Sequence, residues 1–188
     1  SGKTEIYLKG GNINNVYGGG NQTSQPITNV YLQGSKVTNI FGGSNESGNV
    51  DTSNITVTLG NVENIYGGNN IAGLTSISQI NLNGGEVGNV YGGGNKTSHT
   101  TSNINLNGSL VTTIFGGSNE SGVVTTSNIT TTKGDAKTIY GGNHQGGNTI
   151  TSNIKIDGGN VDTIYGGGKL ADTETTNIIV NNSLNNVY

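Results

Sequence analysis

The sequence has no Cys, no Met, no Trp and no Arg, and a single Pro, among its 188 residues. Without Cys there is no disulfide framework, so packing and hydrogen bonding must hold the chain together. Eight Lys face eleven acidic residues, for a net charge of −3 and only 10% charged residues. That balance lacks the basic footprint a phosphate backbone requires, so nucleic acid is not an expected partner. No apolar run approaches bilayer length and no charged-then-apolar leader opens the sequence, so membrane insertion is not expected either. Aliphatic residues are scarce as well. Leu, Ile, Val and Phe total 44, about 23%, just above the composition of disordered chains. A core is possible only if those residues are placed economically.

What the sequence does have is Gly (34), Asn (31) and Thr (25), close to half the chain, and they recur on a fixed period. An Ile/Val–Tyr/Phe pair ends at Tyr17, Phe41, Tyr66, Tyr91, Phe115, Tyr140, Tyr165 and Tyr188, and a Gly pair follows each of the first seven. A second motif, Ser/Thr–Asn–Ile–x–apolar, keeps the same time, with first aliphatics Ile6, Val30, Ile55, Ile80, Ile104, Ile129, Ile154 and Ile178. Their spacing runs 24, 25, 25, 24, 25, 25, 24, so three copies make a larger unit of 74 residues. Gly42 to Gly48 returns unchanged as Gly116 to Gly122. Each 24-residue step carries a triple Gly after Tyr, at 18–20, 92–94 and 166–168, which puts the missing residue in the connector behind it.

Within a copy, Asn54-Ile55-Thr56-Val57-Thr58 alternates polar and apolar, the pattern of a strand with one buried face. A Gly corner follows, such as Gly60-Asn61 or Gly84-Gly85. The next segment, Val62 to Tyr66, is again β-like, but its aliphatics sit three apart, so a bulge or bend must fall between them. About ten variable residues, such as 45–52, complete the copy as loops or a short third strand. Such a unit cannot bury a face alone. Stacked at about 4.8 Å, it pairs each strand in parallel with its counterpart. The fold class is therefore all-β: a single-stranded parallel β-solenoid (β-helix) of eight coils, one domain over residues 1–188, roughly 35 to 40 Å long. The crossover rule favours right-handed coiling. A propeller needs blades of about 40 residues or more, longer than this period. The first strand motif opens at residues 4–8 and the second closes at 184–188 with no capping helix or polar end coil. The sequence thus reads as a segment of a longer array, with end-to-end association expected.

Gly-Gly-x-Val, as in Gly84-Gly85-Glu86-Val87, and Ile-Tyr-Gly-Gly, set in Asn/Thr-rich coils, resemble the right-handed β-helical stalk and adhesin repeats of bacterial surface proteins. The resemblance spans the whole chain. It implies secretion, display on the bacterial cell surface, and partners among surface glycans or the proteins of a host or another cell. It implies neither catalytic residues nor cofactors.

Candidate site residues fall in two rows. The aromatic row Tyr17, Phe41, Tyr66, Tyr91, Phe115, Tyr140 and Tyr165 either stacks inside the rod or forms an exposed strip on which flat sugar faces lie. Alternation leaves both readings open, because Ile65 and Tyr66 are adjacent and only one can take the inner side. The row Asn29, Asn54, Asn103, Asn128, Asn153 and Asn177, with Gln79 in its third place, reads as a structural amide ladder along the rod. Asp residues occupy no common place in the repeat, so regular calcium binding is not expected and no metal site is assigned. A β-helical polysaccharide lyase would need clustered carboxylates or a carboxylate-held cation with a strong base, and His99 and His144 lie apart in variable connectors. A Thr-x-Thr ice-binding array starts at Thr56/Thr58 and Thr130/Thr132 but is interrupted elsewhere. The expected function is a structural or adhesive module, a rigid stalk or spacer without catalysis. Carbohydrate binding is the alternative, and a lyase-like enzyme the third reading.

Overall fold

The computed structural model of the chain describes residues 2–181 and 186–187. Twelve strands and no helix are found among them: β1 (Lys3–Leu8), β2 (Asn12–Tyr17), β3 (Gln25–Phe41), β4 (Val50–Tyr66), β5 (Thr75–Leu82), β6 (Glu86–Tyr91), β7 (His99–Phe115), β8 (Val123–Tyr140), β9 (Asn148–Ile156), β10 (Asn160–Tyr165), β11 (Asp172–Val180) and β12 (Asn186–Val187). Every pairing between them is parallel. The chain is a parallel β-solenoid of about seven turns, each repeat lying on the one before it.

Like lies over like. Val30, Ile55, Ile80, Ile104, Ile129 and Ile154 stand in register, as do Ile40, Ile65, Val90, Ile114, Ile139 and Ile164. Two further columns, through Leu32, Val57, Leu82 and Leu106 and through Val37, Val62, Val87 and Val111, complete one continuous aliphatic interior. Four columns therefore suffice for a dry core in a chain with few aliphatics, because each residue covers the one beneath it as well as its neighbours across the coil.

Between the two strand segments the chain turns at glycines held at positive φ, such as Gly60 (112°) and Gly85 (76°), where a side chain would be strained. The bend expected between Val62 and Ile65 is present: both point inward, while Glu63 is exposed between them. The variable stretch holds no third strand. Turns cover residues 42–49, and the strand that follows begins at Val50, which is fully buried.

The Gly pairs after the aromatics from Tyr17 to Tyr140 are required by packing, not by φ. Thr28, Ser53, Ser78 and Ser102 donate from inside the coil to the carbonyls of Gly42, Gly67, Gly92 and Gly116, at 2.5 to 2.6 Å. A methyl group on Gly42 would overlap the Oγ of Ser53 in the coil above. The second Gly is crowded likewise, Gly43 by the Asn69 amide oxygen and Gly117 by that of Asn143.

The 74-residue unit has an equally local cause. Directly after the Gly pair, the corner column reads Gly20, Ser44, Asn69, Gly94, Ser118, Asn143, Gly168. Asn69 is fully buried. Its amide donates to Gly48 O (2.7 Å) and Ala72 O (3.0 Å), and its oxygen accepts from Ser44 N–H (2.8 Å) and Thr75 Oγ1 (3.2 Å). Asn143 repeats this arrangement one unit later. In the Gly94 coil the connector is one residue shorter, and buried Thr97 tucks under instead, donating to Asn69 O at 3.2 Å. Corner residues of three sizes, each fitted to the next, set the three-coil period.

Candidate functional site

The strand positions the aromatic row outside the aliphatic core, yet does not expose it. Ile65 enters the main interior, and Tyr66 points the other way into a second, smaller one formed by Phe41, Tyr66, Tyr91 and Phe115, with Tyr17 and Tyr140 packed against its ends. Centroids from Tyr17 to Tyr165 follow one another at 4.4 to 5.1 Å, with planes within 11°. The four middle rings are 3 to 8% exposed. Both faces of every ring from Phe41 to Tyr140 are taken by the rings above and below it, so no flat sugar can lie on them. Tyr188, the last of the row, lies outside the described residues. Burial pushes the Tyr91 phenol up to about 12, with a smaller push from Tyr66, and raises that of Tyr66 as well.

A further amide row, absent from the expected ladders, ends in a residue that packs on the rings. Asn45 donates to Asn21, Asn70 to Asn45, Asn95 to Asn70 and Asn119 to Asn95, at 2.8 to 3.1 Å. His144 continues this column: Nδ1 lies 2.7 Å from Asn119 Oδ1, and its ring rests on Phe115 with centroids 4.5 Å apart. Another ladder joins Asn15, Asn39, Asn64 and Asn89. Both rows recur every 24 or 25 residues, and that period was the signal available to find them.

The amide row read from the sequence is present in two runs. Asn54 donates to Asn29 at 3.0 Å, and Asn128, Asn153 and Asn177 each donate to the residue below, the lowest being Asn103, all at 2.9 Å. Gln79 stands in register between Asn54 and Asn103 and interrupts the file, since its longer stem carries the amide out of line. Replacing Gln79 with Asn should join the two runs through two new amide hydrogen bonds, to Asn54 and from Asn103, and raise stability by about 2 kcal/mol, measured as the urea midpoint. An unchanged or lowered midpoint would contradict the ladder's contribution.

His99 and His144, apart in sequence, are also apart in role. His99 is 2% exposed, and neither ring nitrogen has a hydrogen-bond partner. Burial pulls its pKa down to about 4. Among the described residues no three His, Asp or Glu side chains come together as a metal ion would require.

A groove of about 520 Å³ lies on the second-strand face. Its floor is the strand backbone at Val37, Val62, Val87 and Val111, whose side chains turn inward to the core. One wall carries Asn61, Glu86, Leu110 and Asp135 in register; the other carries Glu63, Gly88 and Thr112. Asn61 donates to Glu86 Oε2 at 3.1 Å and steadies that carboxylate against its wall. Compared with protein-family models, curated proteins and solved structures, the chain has no significant match.

Proposed function

We propose that this chain is a rigid structural module, a stalk or spacer with adhesive use, in a bacterial cell-surface or secreted protein, acting mechanically and without catalysis. The observation that carries the reading is the continuity of the columns. Aliphatic, aromatic and amide files run from coil to coil and change only in small ways along the rod. An enzyme gathers unlike groups at one place, whereas a spacer needs the same cohesion in every turn. Low charge limits self-repulsion, and the number of coils sets the length. The likeness of the Gly-rich coils to adhesin stalk repeats supports the surface location.

The test is single-molecule extension between residues 2 and 181. Coils should part in discrete ruptures, each releasing one or a few units of 24 or 25 residues, about 80–90 Å of contour per coil. Smooth extension without ruptures would sink the stalk reading.

A second reading, glycan binding, has support from the groove and none from the stacked rings. Glycans running along the rod would lie over the strand backbone at the valine column, between two walls of mostly polar side chains. Among the described residues no clustered carboxylates support a lyase-like reading.

A further inference from the structure

We propose that the groove is a binding site for a β-1,4-linked glycan carrying free amines, a glucosamine oligomer lying parallel to the rod axis. The inference rests on the glycan-binding reading and names its ligand. Length comes first. The lining runs from Lys36 to Lys137 across five successive coils, about 19 Å at the strand spacing, so the occupant is elongated. An extended peptide advances about 3.3 to 3.4 Å per residue and drifts out of step with the coils. A β-linked hexose advances by nearly one coil per sugar and stays in step.

Charge selects the amine. Glu63, Glu86 and Asp135 carry the acid of the groove, and none of them is ion-paired among the described residues, although Lys36 and Lys137 stand at its two ends. The acids also alternate. Glu63 is on one wall, Glu86 one coil further along is on the other, and Asp135 two coils beyond shares the wall of Glu86. Successive sugars of a β-1,4 chain are turned over relative to one another, so their C2 amines alternate sides in the same way. At Gly88 an added methyl group would overlap the Glu63 carbonyl oxygen, so no side chain stands on that wall between Glu63 and Thr112. A uronate polymer would meet like charge instead.

The experiment is calorimetric titration at pH 6 with four tetrasaccharides: glucosamine tetramer, its N-acetylated form, cellotetraose and tetragalacturonate. The glucosamine tetramer should bind at least tenfold more tightly than the other three. The double variant Glu63→Gln/Glu86→Gln should lose at least tenfold of that affinity. Both positions are exposed, and an unchanged circular dichroism spectrum verifies the fold. Thr112→Lys, which keeps both carboxylates and adds a cation on the wall of Glu63, one coil beyond Glu86, should weaken binding comparably. Equal binding of cellotetraose or the N-acetylated tetramer would overturn the amine assignment and leave glycan binding standing. Failure of all four would overturn both. Undiminished binding to the double variant would place the ligand outside the groove and overturn the proposal.

Discussion

Replacing Asn69 with Asp should destabilise the protein by about 4 kcal/mol, although the two side chains have nearly the same shape. The reason is the direction of hydrogen bonding at one atom. Asn69 Nδ2 donates to two carbonyls, Gly48 O and Ala72 O, in a fully buried corner. An Asp oxygen in that place accepts only, so both carbonyls lose their donor and face an oxygen, with a charge added where water is excluded. An unsatisfied buried polar group costs about 1 to 3 kcal/mol, and more when it is charged. Asn143, with the same four partners one unit later, should respond equally. The neighbouring Asn70, whose amide bonds to Asn45 in the outer ladder, is the control: Asn70→Asp should cost no more than about 1 kcal/mol. Urea unfolding followed by circular dichroism measures both. Equal losses at positions 69 and 70 would refute the role given to the buried corner amide.

Acid should destabilise the chain through His99 over a defined range. Its folded pKa is about 4 and its ordinary value 6.5, so as pH falls the unfolded chain takes up the proton first. Stability therefore drops as pH falls from about 6.5 to about 4, then levels off with respect to this group. The shift corresponds to about 3 kcal/mol in total. The structural basis is a ring without hydrogen-bond partners, lodged over Gly68, where an added methyl group would overlap Cε1. The column already accepts valine, at Val50 and at Val124. In the variant His99→Val that part of the pH dependence should vanish, so the stability difference between the two proteins should change by about 3 kcal/mol between pH 7 and pH 4. Subtracting one protein from the other cancels the carboxylates common to both. A difference that stays constant with pH would mean that His99 finds a proton acceptor when charged.

Both residues show where sequence reading stops. Asn69 and Asn70 are adjacent and chemically identical; Asn recurs at the first place once in three coils and at the second in successive coils. Only the path of the chain after Gly67-Gly68 sends one into the corner and the other onto the outer ladder. His99 sits in a connector that reads as variable and polar, yet the strand begins there, and its first side chain points inward. The aromatic row was ambiguous for a related reason. Two-sided alternation allows one inner face, and Ile65 and Tyr66 compete for it until the connector folds back and creates a second interior.

The sequence by itself determined the parallel stacking of coils, the length of each coil, the three-coil unit and the aliphatic files. A side chain repeated every 24 or 25 residues in a chain with few aliphatics can be buried only against its own copies. Tertiary structure alone decided which side of each strand is covered, which amides are buried and where the surface is hollow. Those outcomes depend on the fold-back of connectors and the bend at Glu63 and Gly88, and such turns depend on contacts between coils that no periodicity within one coil encodes.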